Sequence, residues 1–412
     1  MNKVSVAQRA SEPSNRPSLM RNLRAVLLLR GAQRFMLIAS ILVPFFAHYG
    51  QDIQEIFWLE SFYALTVLLM EVPSGYLADR YGRVAVLRAG AVLWSLSWLL
   101  LLSVDDFTGL MVFELLGGIA TALLSGADLA LLFDTERELA QREAERPNRA
   151  VRKLFVIGMV AEGAASLSAT VLLFNGGINL VITTQTGCGL LVFLASLFLY
   201  EPTRSRQPNT ARHGEFQKLC NVLGALWRQS VFMRRLLSAL CSWPVVNVLA
   251  IWLMQRVWVE LELGLVHFGW IWCLLQVVGA VTGHVAHDAE RLIGPSRVIY
   301  LIAALALAGL LMLGASDLAL ALIGSVLLFA ARGFFSVLFM DAMNHRIESE
   351  YRATITSLLG FGFRLGFVVS AGLLGWVFAE FGLWITVFFL TTMTLTLCLT
   401  LMLPLANALS AQ

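Results

Sequence analysis

Glu71-Val72-Pro73-Ser74-Gly75-Tyr76-Leu77-Ala78-Asp79-Arg80-Tyr81-Gly82-Arg83 marks the place where a long apolar run ends and the chain turns before the next run begins. The residue types there have distinct physical uses. Glycine permits a tight turn and close approach of backbones, which Gly75 and Gly82 are placed to supply. Asp79 is an anion positioned to meet the positive N-terminal end of a neighbouring helix. Arg80 and Arg83 follow the apolar run directly, as basic residues do on the cytoplasmic side of a bilayer. The runs on either side, about 54–77 and 84–104, are each long enough to cross the hydrocarbon.

The rest of the chain repeats this pattern. Of 412 residues, 58% are hydrophobic and only 14% are charged, and mean hydropathy is +0.75. That leaves too little polar surface to coat a soluble globule. The 30 basic and 27 acidic residues are too evenly balanced for a nucleic-acid binder. Five cysteines, four of them inside apolar runs (Cys188, Cys241, Cys273, Cys398), make no paired disulfide framework. A soluble enzyme, a disulfide scaffold and a disordered chain are all excluded.

A helix crosses the hydrocarbon with about 20 apolar residues, because its backbone groups must be satisfied internally. Windows of that length predict twelve spans, at about 26–48, 54–77, 84–104, 108–134, 152–174, 178–200, 235–255, 266–287, 297–314, 318–341, 353–377 and 382–404. Residues 1–20 read as a disordered cytoplasmic tail with no removable signal peptide, and 405–412 as a second tail. The polar stretch 201–234 divides the spans into six-helix bundles at 21–200 and 235–404. Arg and Lys fix the orientation. Of the 30 basic residues, 25 fall on the side shared by both termini or in the helix ends next to it. The opposite loops hold only Arg256. Both termini are therefore expected to be cytoplasmic, in a multi-pass protein of the cell membrane, with a bacterial inner membrane expected.

Two landmarks suggest that the bundles are related. Gly75-Tyr76-Leu77-Ala78 matches Gly283-His284-Val285-Ala286 at an offset of 208, and Gly126 with Asp134 matches Gly333 with Asp341 at an offset of 207. Duplicated bundles are a common way to build secondary transporters.

With these features in place, the stretch at 75–83 resembles the signature of the major facilitator superfamily, G-x-L-A-D-R-x-G-R, at Gly75, Leu77, Ala78, Asp79, Arg80, Gly82 and Arg83. The resemblance is to its bacterial twelve-helix type. It implies an all-α membrane fold of two pseudo-symmetric six-helix bundles and a cytoplasmic gate. In that gate Asp79 would contact helix 11, and Arg83 would pair with Asp134 at the end of helix 4. The second bundle departs from the signature, its acid being displaced by one position at Asp288, so a matching Arg291–Asp341 latch is only an option.

A charge at the bilayer centre costs roughly 2.5–3.5 kcal/mol on insertion scales, so charges inside spans face protein or water. Those charges are Arg30, Arg34, Glu60, Glu114, Asp128, Glu162, Arg332 and Arg364. Helices 3, 6, 9 and 12 carry none at mid-span, which suits the peripheral positions that the resemblance implies for them. Glu114, Gly118, Thr121, Ser125 and Asp128 recur along one face of helix 4. A carboxyl in apolar surroundings can carry a proton, whereas arginine keeps its charge. Glu162 is thus the first proton-coupling candidate, with Glu114, Glu60 and Asp128 behind it. Arg34, Arg30, Arg332 and Arg364 could hold an anionic group through bidentate contacts, and Gln276 and Asn247 are further substrate-binding candidates. Glu–Arg pairing that merely fixes the helices is the competing reading of each.

Two departures bear on direction. Drug:proton antiporters of the resembled family carry an Arg in helix 4 where Glu114 stands, and a Pro in helix 5 that Gly158-Met159-Val160-Ala161-Glu162-Gly163 lacks. No P-loop, serine-hydrolase or metalloprotease motif is present, and His284 and His287 lack further ligands for a metal. The expectation is a non-enzymatic secondary transporter that binds a small molecule and protons, needs no cofactor or nucleic acid, and works as a monomer in the lipid bilayer. Proton-coupled export of a small organic compound, anionic or zwitterionic (a siderophore, metabolite or drug), is the leading reading. Proton-coupled uptake is the alternative within the class, and a lipid-flipping or transporter-derived sensor protein the alternative outside it.

Overall fold

Lipid offers no hydrogen-bond partner, so an apolar chain in a membrane satisfies its own backbone, and the helix is the local way to do so. The computed structural model describes residues 16–140, 149–202, 224, 227, 230–347 and 349–410. Nearly all of these are helical. Most of the expected central loop, most of the N-terminal tail and the last two residues lie outside the described residues.

Among the described residues, ten helical stretches are long and apolar enough to cross a membrane. The all-α membrane fold expected from the sequence is therefore found. In order, the first crossing is built from α1 (Arg16–Arg34), a 3-10 turn (Leu37–Ile41) and α2 (Leu42–His48). Then come α3 (Ile53–Tyr81), α4 (Arg83–Leu100), α5 (Phe107–Leu124), α6 (Ala127–Ala140) and α7 (Arg149–Leu197). After the central segment follow α8 (Val231–Glu260), α9 (Val266–His284), the short α10 (Ala286–Ile293) and α11 (Pro295–Leu313). The chain finishes with α12 (Leu318–Arg346), α13 (Ser349–Leu397), a π turn (Cys398–Met402) and α14 (Leu403–Ser410).

Two apolar stretches are longer than one bilayer needs. Val156–Leu197 has 42 residues and Ile355–Ser410 has 56, about 63 and 84 Å at 1.5 Å per residue. The first is broken at Gly176 and Gly177 and the second at Gly382. Gly177 (φ 64, ψ −162) and Gly382 (φ 78, ψ −178) share a conformation that is essentially reserved for glycine.

Helix starts are marked by side chains that take orphan backbone N–H groups. Asp52 and Glu55 form a reciprocal capping box on α3. Asp106 accepts from Gly109 N at 2.8 Å, Ser230 from Met233 N at 3.1 Å and Asp317 from Leu320 N at 2.9 Å. The three aspartates also place negative charge at the positive ends of α3, α5 and α12.

The break between α1 and α2 frees backbone groups in the middle of a crossing. Two fully buried glutamines from other helices take them up. Gln185 Oε1 accepts from Leu37 N at 2.6 Å, while Gln255 accepts from Val43 N at 3.0 Å and donates to Ala39 O at 3.2 Å. Gln255 thereby ties the second half of the chain to the first.

Packing differs between the two ends of the bundle. One apolar core runs the length of the first half, from Val84 and Leu87 beside Gly82 to Phe45, Phe57 and Trp98, and takes in Leu253, Phe268 and Phe367 of the second half at the end remote from Gly82. Trp252 lies between Phe57 (5.6 Å between ring centroids) and Phe367 (5.2 Å), joining α3, α8 and α13. Gly269 on α9 sits so close to Ser166 and Thr170 of α7 that no side chain would fit. At the Gly82 end, Leu236, Trp243, Phe335 and Met402 belong to a separate core made only of second-half residues.

Candidate functional site

The motif at 71–83 builds a helix-to-helix corner. Gly82 adopts φ 93, ψ 151 and ends α3 while starting α4. The first N–H groups of α4 are taken by one carboxylate: Glu201 accepts from Arg83 N at 3.1 Å and from Val84 N at 2.7 Å. The Arg83 guanidinium pairs with Asp134 and also donates to the carbonyl of Ala130, so it clasps α6. Arg88, one turn on, donates to Leu199 O at 3.1 Å near the end of α7. Asp79 is half-buried on the last turns of α3, a helix packed along α13. Arg80 instead faces outward, bonded to the Tyr76 hydroxyl at 2.9 Å. Gly75 corrects one expectation, because it lies inside α3 with open space beside it, neither turning the chain nor admitting a close neighbour.

Deeper in the bundle, charges from both halves meet. Arg30 pairs with Asp128 at 2.7 Å, and Asp128 is almost wholly buried. Asp128 stands in the first turn of α6, whose positive end also favours it. Arg34 lies one helical turn beyond Arg30, with its stem against Gly158 of α7, and its side chain remains exposed. An exposed arginine surrounded by helices faces a space within the bundle. Glu162, on the same face of α7, accepts a 2.6 Å bond from Gln276 of α9. Glu162 and Arg34 are also the charges that act on Arg332 of α12. Arg332 lies over the Phe329 ring at 5.5 Å and lines a small hollow with Asn247. Of the six substrate-binding candidates, Gln276 bonds to Glu162 and Arg34 and Arg332 lie around it, Asn247 shares the hollow of Arg332, and Arg30 is one turn from Arg34.

Arg364 belongs elsewhere. It pairs with Glu71 at 2.7 Å, between α3 and α13, and Ser357 donates to the same carboxylate at 3.4 Å. This ion pair ties one half to the other, which for Arg364 is the competing reading of a Glu–Arg pair that fixes the helices. Glu114 and Glu60 also stand apart from Glu162, lining a cavity inside the first half. In the second half, Arg291 reaches Asp288 at 3.9 Å, while Asp341 is faced by His345 at 3.3 Å and His287 at 3.8 Å. The optional Arg291–Asp341 latch is replaced by histidines.

The family model for the Major Facilitator Superfamily matches residues 25–288. The chain belongs to the major facilitator superfamily. Solved structures of other transporters agree in fold. Two structures of the nucleoside transporter NupG, one of them a point mutant, superpose with TM-scores of 0.74 and 0.73. They share 12% and 11% identity, cover 95% and 96% of this chain, and are themselves covered over 99% and 98% of their lengths. A POT family transporter in complex with 5-aminolevulinic acid matches with a TM-score of 0.64 and 13% identity, over 92% of this chain and 94% of its own. No curated protein matches the sequence. As a superfamily member the chain is a multi-pass membrane transporter rather than an enzyme.

Sequence reasoning missed Glu71, Glu201, Gln185 and Gln255. Glu71 sat inside the quoted motif, and its distance from the helix end was the available sign that it meets something within the bundle. The glutamines carried a weaker sign, as single amides in otherwise apolar runs.

Proposed function

We propose that this chain is a proton-coupled secondary transporter of a small organic anion or zwitterion, with two six-helix halves that rock about a midplane site. The two overlong stretches, each reversing at its glycine break, would make twelve crossings. The basic residues would put the Gly82 end in the cytosol. The far end, where one core joins both halves, is then the closed side, and Arg34 faces a cavity reached from the cytosol.

The observation that carries this reading is the charge balance around Glu162. Asp128 pairs with Arg30 and also lies within electrostatic reach of Arg34, while Glu162 is the acid within reach of Arg332. An anionic group on the substrate would complete the set through guanidinium hydrogen bonds. A proton on Glu162 would remove a negative charge that competes with the substrate beside the arginines, so proton and anion would bind together. That logic supports symport, and with an inward proton gradient it supports uptake over the export expected from the sequence.

The test is transport in proteoliposomes with a defined pH gradient, using candidate substrates found by comparing cytosol and medium of expressing cells. Glu162→Gln should abolish gradient-driven accumulation yet retain substrate exchange. An unchanged pH dependence would overturn the role of Glu162. A compound enriched in the medium by the wild type, rather than depleted, would restore export.

A further inference from the structure

The mid-bundle charges leave one acidic cavity unused. It has a volume of about 130 Å³ and lies within the first half, among the α1–α2 break, α3, α4 and α5. Glu60 of α3 and Glu114 of α5 both line it. Each is about two turns in from the start of its helix at the far end. Glu114 is only 5% exposed, and among the described residues no hydrogen bond or ion pair holds its carboxyl. The group that acts on it electrostatically is Glu60, another acid. Two carboxyls lining one largely apolar cavity are relieved by taking up a proton or by a positive charge between them, and the lining favours the second.

The remaining lining indicates what kind of cation. Tyr63, Trp94, Trp98 and Phe113 supply aromatic surface, and aromatic faces attract cations within about 6 Å of the ring. Oxygen ligands are few. Besides the carboxyls there are Ser97, whose hydroxyl donates to Trp94 O, and Tyr63, whose hydroxyl donates to Thr121. A hard metal cation takes about six or more oxygens in a close cage, and this wall does not offer them. The space also exceeds the roughly 30 Å³ that one water occupies in the liquid. We infer that the cavity is a binding site for a small organic monocation of the ammonium class, held by Glu60 and Glu114 inside the ring of Tyr63, Trp94, Trp98 and Phe113. Arg34, one of the arginines around Glu162, comes within electrostatic reach of Tyr63 in the same wall, but the proposal does not depend on the role of Glu162.

Purified full-length protein in detergent would be titrated with tetramethylammonium chloride, following tryptophan fluorescence and melting temperature, against NaCl at equal ionic strength. A saturable fluorescence change and a raised melting temperature with tetramethylammonium alone are expected. Glu114→Gln should weaken the binding about tenfold or more, the scale of losing one charged partner, and Glu60→Gln should act in the same direction. Glu114→Gln removes a buried charge without changing size, so the variant should melt no lower than the wild type in the absence of ligand. Glu162→Gln should bind tetramethylammonium as the wild type does. No saturable change with the wild type would overturn the proposal. So would an equal response to sodium, which would make the site an inorganic cation site, or undiminished binding by a folded Glu60→Gln, Glu114→Gln double variant.

Discussion

The corner at Gly82 and the corner at Gly294 have the same backbone and different chemistry. Gly82 has φ 93, ψ 151 and Gly294 has φ 89, ψ 154, and each starts the next long helix. After Gly82 comes Arg83, clasped to Asp134, with Glu201 closing the first turn of α4. After Gly294 comes Pro295 at the start of α11, where a missing N–H costs nothing. The short α10 precedes that second corner, and its His287 faces Asp341 where the first corner uses arginine on Asp134. One corner is therefore held by a partly buried arginine clasp, the other by longer and more exposed histidine contacts. The difference teaches that the backbone turn and the ionic clasp are separable parts of this motif.

The largest effect should come from removing the arginine clasp. Arg83→Ala is expected to lower transport about tenfold or more, where each decade corresponds to about 1.36 kcal/mol, with the protein still inserted in the membrane. Asp79→Asn should likewise nearly abolish transport while insertion stays intact. Uptake at wild-type rates in either variant would reduce the first corner to a structural turn.

Backbone strain is the next test of the comparison. Gly82→Ala and Gly294→Ala each force a side chain into a glycine conformation, at about 1–3 kcal/mol. Only at Gly82 would the added carbon also press on the Glu201 carboxylate, since nothing lies within 4 Å at Gly294. Thermal melting should therefore drop further for Gly82→Ala. Equal drops would mean that Glu201 yields freely.

Smaller still is the expected contribution of the histidines. A His287→Gln, His345→Gln double variant should lower thermal stability by only about 0.2–1 kcal/mol, the worth of partly exposed pairs. At the bottom of the scale, Arg291→Ala should change stability by no more than about 0.5 kcal/mol, because its side chain is largely exposed. A substantial loss would revive the arginine latch in the second half.

The positions of the long helices were legible because apolar length is a one-dimensional property. The gap between the expected runs ending at 174 and starting at 178 contains Gly176 and Gly177, and the run starting at 382 begins on the glycine that breaks α13. Arg83 and Asp134 were legible through a motif with fixed offsets. Helix rotation was not, and rotation decides where a mid-span charge points. That is why Arg364 could be grouped with Arg34 and Arg332, although it meets Glu71 between α3 and α13. It is also why Glu114 and Glu162 read alike in sequence but face separate spaces. The landmarks Gly126 and Gly333 carry a similar lesson. Gly126 has φ 81 and divides α5 from α6, whereas Gly333 stays helical and admits Gly279 and Thr282 of α9. Matching letters at matching offsets served different physical needs.

The shared core around Phe57, Trp252 and Phe367 has a thermal consequence. Between lipid-facing helices such contacts gain little from excluding water, since lipid is equally apolar. Parting the halves at that end, however, would admit water onto these rings. Hydrating apolar surface raises heat capacity, and the penalty for it falls on cooling. The balance between the two faces of the transporter should therefore tilt with temperature, and chilling should make the far side easier to open.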